Sequence, residues 1–364
     1  MKISVRQICF IMFMYTFATK VLTYPSALAA TAGRDLIFSA LIDFAISGVV
    51  IWSLAYMCSR TQMTFFEMLK ATFGRVGMII TGVLFALFFT FSAFFPLFEQ
   101  ERYVHAIFYD TIPSYLTCLP FFAFAVYAAC KGFTNIGRCA DLCLPVFVLS
   151  VVFIFTMCVS EINFEHMLPI LKTPASGIFA GALKNAFRFT EPAFMLFFVG
   201  RFKYKKGDAA KITLSYAGGA LLVILTLFAF YGIYSDIAPD TPFAISKLSL
   251  FFSAINIVGR VDLIALYALE IVQLFALVLN IQLAVYCIKT CIYPDDSVYD
   301  RSDIMPFIAF CVNAALLAAV LLCDSLFSSV TAFYSDWGWI ILVIFAVIAP
   351  LLCWALKKRR EQNG

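Results

Sequence analysis

Two short runs of residues place formal charge and proline in the middle of otherwise apolar stretches. The first is Thr19-Lys20-Val21-Leu22-Thr23-Tyr24-Pro25, and the second is Arg188-Phe189-Thr190-Glu191-Pro192. Proline removes a backbone donor and clashes with the preceding helical turn. Each run therefore predicts an interrupted helix with freed amides and carbonyls. Freed amides at a helix N-terminus can receive a carboxylate, and freed carbonyls can receive an ammonium or a metal cation. An amino acid carries both groups. Lys20 and Glu191 are the formal charges nearest the breaks. Facing each other, they can form a buried ion pair that sets a conformation. Functionally, Lys20 can stand where a coupling cation would sit, and Glu191 can carry a proton. The plainer readings are a structural pair or a lysine reaching to the interface. Thr19, Thr23 and Thr190 offer hydroxyls at the breaks, or simply bond back to their own helices.

Farther along, Tyr267 and Glu270 lie three apart on one helical face, with Gln273 one turn on. In a five-plus-five arrangement this helix lines the same cavity. The expected binding set is Thr19, Lys20, Thr23, Tyr24, Pro25, Thr190, Glu191, Pro192, Tyr267 and Glu270. Asp43 is expected to be a helix-packing partner. Glu99, Glu101, Arg102 and His105 are expected to form a solvated mouth or a partner contact.

The elements that hold these residues follow from composition. Of 364 residues, 63% are hydrophobic and 13% charged, with 42 Phe. Soluble domains are about 45–50% apolar and about 25% charged, and a soluble fold has to expose a sizeable share of its residues to water. These numbers exclude a soluble enzyme, a disulfide scaffold and a disordered chain. The net charge of +4 is no nucleic-acid signal. A polytopic membrane protein remains, with the lipid bilayer as its surroundings.

A bilayer core of ~30 Å needs about 20 apolar residues per helix. Ten such stretches occur, roughly at 6–31, 36–58, 78–98, 115–131, 139–160, 179–200, 212–235, 262–288, 304–323 and 337–356. Lys2, Arg6, the apolar run Ile8 to Ala18 and the small residues Ser26 to Ala30 imitate a cleavable signal. Lys20, Tyr24 and Pro25 interrupt it, so it reads as the first membrane helix. Loops on one side carry eighteen Lys and Arg and those on the other carry five. That bias predicts an even number of spans with both termini cytoplasmic. Residues 61–75 read as an amphipathic helix on the cytoplasmic face, and 242–258 as a re-entrant or interfacial helix on the outer face.

The two interrupted helices are the first and the sixth of ten. This divides a single polytopic domain, residues 1–364, into repeat one (about 6–160) and repeat two (about 179–356), followed by a basic cytoplasmic tail at 357–364. A repeat of five helices must insert the second time upside down, which is the inverted-repeat pattern of secondary transporters. The expected fold is therefore all-α and integral to the membrane, with ten spans as two inverted repeats and helices 1 and 6 broken. Gly218-Gly219 and the Gly177/Gly181 spacing read as close-packing sites.

No catalytic constellation emerges, and the chain is not expected to be an enzyme. It has two His, no Gly-rich phosphate loop and no Gly-x-Ser-x-Gly elbow. Cys139/Cys143 and Cys287/Cys291 lie four apart but lack partner His residues, so no metal is expected. No cofactor is expected beyond a coupling H⁺ or Na⁺.

Several short motifs resemble a known family. Ile3-Ser4-Val5-Arg6-Gln7, Tyr24-Pro25 and Ala32-Gly33-Arg34-Asp35 are similar to the opening of bacterial spore germination permeases, the B subunits of germinant receptors. Glu191-Pro192 matches loosely, as does Gly259-Arg260-Val261-Asp262 beside the family's Glu-Arg-hydrophobic-Asp pattern. Length and helix count extend the likeness over nearly the whole chain. The resemblance implies the amino acid–polyamine–organocation superfamily and a LeuT-type fold. It also implies a sensor of small amino-acid-like germinants, working with A-type and C-type receptor subunits in the spore inner membrane. The alternative is an autonomous secondary transporter of an amino acid or amine in the bacterial cell membrane, driven by H⁺ or Na⁺. A structural membrane scaffold is a third, weaker reading.

Overall fold

A chain this poor in polar side chains must satisfy its backbone within each segment once water is excluded. The computed structural model does so with helices alone among the described residues, which are 3–61, 63–107, 113–130, 133–249, 262–293, 305–323, 327–348 and 351. In chain order the helices are α1 (Val5–Ala18), α2 (Tyr24–Ala32), α3 (Leu36–Met57), α4 (Phe65–Ile107), α5 (Ser114–Cys130) and α6 (Phe133–Cys158). They continue as α7 (Ala175–Asn185), α8 (Glu191–Phe198), α9 (Asp208–Tyr234), α10 (Ala244–Ser249), α11 (Asp262–Ile292), α12 (Met305–Cys323) and α13 (Phe327–Val343). A π turn, Ile344–Ile348, extends α13.

Helix starts are written in local chemistry. Ser4 and Gln7 close a capping box on α1, with Ser4 Oγ accepting from the Gln7 amide at 3.3 Å and Gln7 Oε1 accepting from the Ser4 amide at 3.2 Å. Thr64 and Glu67 do the same for α4. Gly74, with φ of 73°, then bends α4 after its first two turns. The stretch before Gly74 corresponds to the expected amphipathic helix. Its apolar face, however, lies on protein. Phe65, Phe66, Met68 and Leu69 are buried, with Phe65 packed on Phe197 at 5.5 Å and Phe66 on Tyr286 at 5.6 Å.

Among the described residues, five helical stretches are individually long and apolar enough to cross a membrane: Tyr24–Met57, Phe65–Val104, Asn135–Glu161, Asp208–Asp240 and Leu269–Ile292. Of the other expected stretches, 115–131 and 304–323 correspond to α5 and α12. The stretch 337–356 is displaced, since α13 starts at Phe327 and residues 349, 350 and 352–356 lie outside the described residues. The stretches 6–31 and 179–200 are each split into shorter rods. The reason is plainest at the two breaks. There the rods have 14 and 9 residues, then 11 and 8. At about 1.5 Å per residue none spans ~30 Å alone.

The bundle is organised around α1 against α9 and α4 against α11, with α3 also packed on α9. Close approach explains Gly219, where a Cβ would lie 2.6 Å from the Phe13 carbonyl oxygen of α1. Gly181 serves the same purpose against α3, since its Cβ would lie 2.8 Å from Ser39 Oγ. Of the expected outer helix at 242–258, α10 is described and residues 250–258 lie outside the described residues. The same holds for Gly259, Arg260, Val261 and the tail at 357–364.

Candidate functional site

The first break follows from Pro25. As the second residue of α2 it starts a helix well but cannot continue one. The α1 ladder closes with the Thr19 amide on Tyr15 O at 3.1 Å and the Lys20 amide on Phe17 O at 3.0 Å. No side chain caps α2. The Leu22 carbonyl, freed by the break, accepts from the Ala244 amide at 3.0 Å, so α10 covers this point. The second break has the same form. A 3-10 turn at Ala186–Arg188 ends α7, and α8 restarts with Glu191 and Pro192, again with no side-chain cap.

Two ion pairs connect the breaks to their surroundings. Lys20 and Glu191 bond directly, each with no exposed side-chain surface. The Lys20 ammonium also donates to Thr19 Oγ1 at 3.2 Å and sits 4.3 Å from the centre of the Phe189 ring. Glu191 is the first residue of α8, where the helix dipole favours a carboxylate. Its Oε1 meets Lys20, and its Oε2 has no hydrogen-bond partner in the protein. The second pair is Arg188 with Glu99 at 2.8 Å. Arg188 also donates to Thr23 Oγ1 at 2.9 Å, and Thr23 donates to Glu99. The guanidinium packs against Phe95 at 4.8 Å and Phe187 at 5.1 Å.

A third link joins α1, the second break and α11. Tyr15 and Thr190 share a hydroxyl hydrogen bond of 2.8 Å, and Asn280 donates to Tyr15 at 3.1 Å.

Between the breaks lies a cavity of about 40 Å³. One water needs roughly 10–15 Å³ by this measure, so the space suits a few waters and no larger ligand as it stands. Its polar lining is Tyr15, Thr19, Ser92, Glu99, Arg188 and Thr190, and its aromatic wall includes Phe91, Phe95, Phe187 and Tyr334.

Among the residues singled out in the sequence, Thr19 and Thr190 line this cavity. Lys20 and Glu191 lie behind it, where the ammonium also approaches Phe44 of α3 at 6.0 Å. Thr23 belongs to the Arg188–Glu99 cluster. Tyr24 is fully buried with its ring 6.0 Å from Phe189, and Pro25 and Pro192 are buried in the first turns of α2 and α8. Glu270 accepts from Gln100 of α4 and does not line the cavity. Tyr267 is 50% exposed on α11. Asp43 is 7% exposed on α3, with Oδ2 lacking a hydrogen-bond partner.

One of two expected readings, the solvated mouth, is overturned for Glu99 and Glu101; they are 5% and 3% exposed. The Arg188 turn neutralises Glu99 inside the protein, which a linear reading of α4 does not show. Tyr15 and Asn280 carried no earlier assignment. Asn280 was legible, with Gln282, as an amide within an apolar run, while Tyr15 had no local signal.

A Na⁺-coupled sialic acid symporter, solved in a substrate-bound outward-open state, shares the fold with a TM-score of 0.58 and 12% identity, over 93% of this chain and 79% of that one. At that identity the likeness concerns the fold alone. A family profile described as spore germination protein matches residues 2–321. The chain belongs to this family, the spore germination permeases, and is an integral membrane protein. No curated protein matches it by sequence.

Proposed function

We propose that this chain is the membrane-embedded, permease-like subunit of a spore germinant receptor. It binds a small amino-acid-like germinant between its two helix breaks. Binding shifts a conformational equilibrium that A-type and C-type partner subunits read. The observation that carries this reading is the small cavity between two interrupted helices, lined by the buried charges Glu99 and Arg188. Supporting it are the family assignment and the spacing of the breaks. The breaks occupy the first span of each half in the ten-span, inverted-repeat reading. The Lys and Arg bias supports cytoplasmic termini, with the protein in the spore inner membrane or the bacterial cell membrane. The chain performs no covalent chemistry in this proposal. Lys20, held by Glu191, stands in for a coupling cation.

The fold shared with a Na⁺-coupled symporter favours one second reading, an autonomous amino acid or amine transporter driven by H⁺ or Na⁺. Fold alone does not decide between them.

The test is ligand-induced thermal stabilisation of the purified protein against the twenty amino acids, with and without Na⁺ and at two pH values. A stabilising amino acid is expected. Lys20→Ala and Glu191→Ala are expected to abolish the response while the protein still inserts. A normal dose response in both variants removes the pair from the mechanism. Uptake by the lone protein in liposomes selects the transporter reading. Ligand response that requires co-purified A-type and C-type subunits selects the receptor.

A further inference from the structure

The formal charges that line the cavity are Glu99 and Arg188. Lys20 and Glu191 have already neutralised each other behind it. Glu99 and Arg188 are 5% and 8% exposed, so both are held out of solvent. Arg188 packs against the rings of Phe95 and Phe187 and is bonded to Thr23. A guanidinium has five donor hydrogens. Here Nη1 serves Glu99 and Nη2 serves Thr23, while Nε is buried without a partner.

We propose that Arg188 and Glu99 are the charge receptors of the ligand site. The ligand is a zwitterion with an apolar side chain, its carboxylate on Arg188, its ammonium on Glu99 and its side chain against Phe91 and Tyr334. This rests on the cavity between the breaks being the ligand site. In the structure the two receptors occupy each other at 2.8 Å, and the cavity of about 40 Å³ is too small for an amino acid. The ligand therefore enters by parting this pair. A zwitterion replaces one ion pair with two. An amine or a carboxylic acid alone satisfies one receptor and strands the other, buried and unpaired, which is strongly unfavourable. A site built this way rejects an analogue that lacks one charge far more sharply than one that lacks a methylene. Charged side chains are excluded by the aromatic wall.

The experiment uses the full-length purified protein and thermal stabilisation as readout. The probes are L-leucine, L-phenylalanine, L-lysine and L-aspartate, with phenethylamine and 3-phenylpropionate as the single-charge analogues of phenylalanine. L-Leucine or L-phenylalanine is expected to stabilise the protein. Each single-charge analogue is expected to need at least ~100-fold higher concentration, and L-lysine and L-aspartate are expected to give no shift. Arg188→Gln and Glu99→Gln should each lose the response. Because a single change strands a buried charge, Arg188→Gln/Glu99→Gln is included as a charge-neutral pair, expected to fold and to remain unresponsive. Wild-type concentration dependence in the double variant overturns this inference while leaving the site's general function intact. So does equal potency of phenethylamine or 3-phenylpropionate, which needs no variant. If no probe and no other amino acid stabilises the wild type, alone or with co-purified A-type and C-type subunits, this inference and the reading it rests on both fail.

Discussion

Replacing Lys20 by Met removes the ammonium from a place with no exposed side-chain surface. It leaves the Glu191 carboxylate, one oxygen of which already lacks a partner, with no counter-charge beside it. Removing one member of a buried ion pair costs about 3–5 kcal/mol. The reverse change, Glu191→Gln, is milder. Lys20 keeps the Thr19 hydroxyl at 3.2 Å and the Phe189 ring at 4.3 Å. A desolvated cation–π contact is worth about 2 kcal/mol, and a hydrogen bond from a charged donor about 1.5 kcal/mol. The expected loss for Glu191→Gln is therefore ~1–3 kcal/mol. The double variant Lys20→Met/Glu191→Gln strands no charge at this pair and is expected within ~1–2 kcal/mol of wild type. The assay is reversible unfolding in mixed micelles, read as a double-mutant cycle. Asymmetric single losses and a coupling of ~2 kcal/mol or more are expected. Equal single losses that add in the double, with coupling below ~0.5 kcal/mol, would refute the reasoning, because the two charges would then not be acting on each other.

Two further changes test the packing and the edge of the site. Gly219→Leu places a side chain where a Cβ would already lie 2.6 Å from the Phe13 carbonyl; α1 must move off α9, and a lower unfolding midpoint with reduced yield of folded protein is expected. Tyr267→Ala, at a half-exposed position outside the cavity lining, is expected to leave ligand response unchanged and stability within about 0.5 kcal/mol. Loss of ligand response in that variant would bring Tyr267 back to the site.

The breaks were legible because their cause is local. Pro25 and Pro192 end a backbone ladder whatever surrounds them, and a charge beside each marks a place turned away from lipid. The close-packing glycines were legible for a similar reason, since only a missing Cβ allows the approach seen at Gly219 and Gly181. Glu99 was not. At the end of an apolar helix a carboxylate reads as solvated, and only the Arg188 turn arriving from another helix shows that it is buried. The Tyr267–Glu270 pair failed to stay together for a geometric reason. Three residues advance a helix about 300°, leaving roughly 60° between the two side chains. On α11 that offset separates a residue bonded to α4 from one half open to the surroundings.

The sequence by itself determined the membrane class, most of the apolar stretches and the two points where rods stop. Hydropathy and proline act over a turn or two of chain, and need no partner to take effect. What the tertiary structure decided was the pairing of charges. Two cations, Lys20 and Arg188, and two acids, Glu99 and Glu191, stand at or near the breaks, and composition permits either combination. Lys20 meets Glu191 across 171 residues, and Arg188 meets Glu99 across 89. These matches exist only when half-helices from distant parts of the chain close on each other, and that closure puts one pair behind the cavity and the other in its wall.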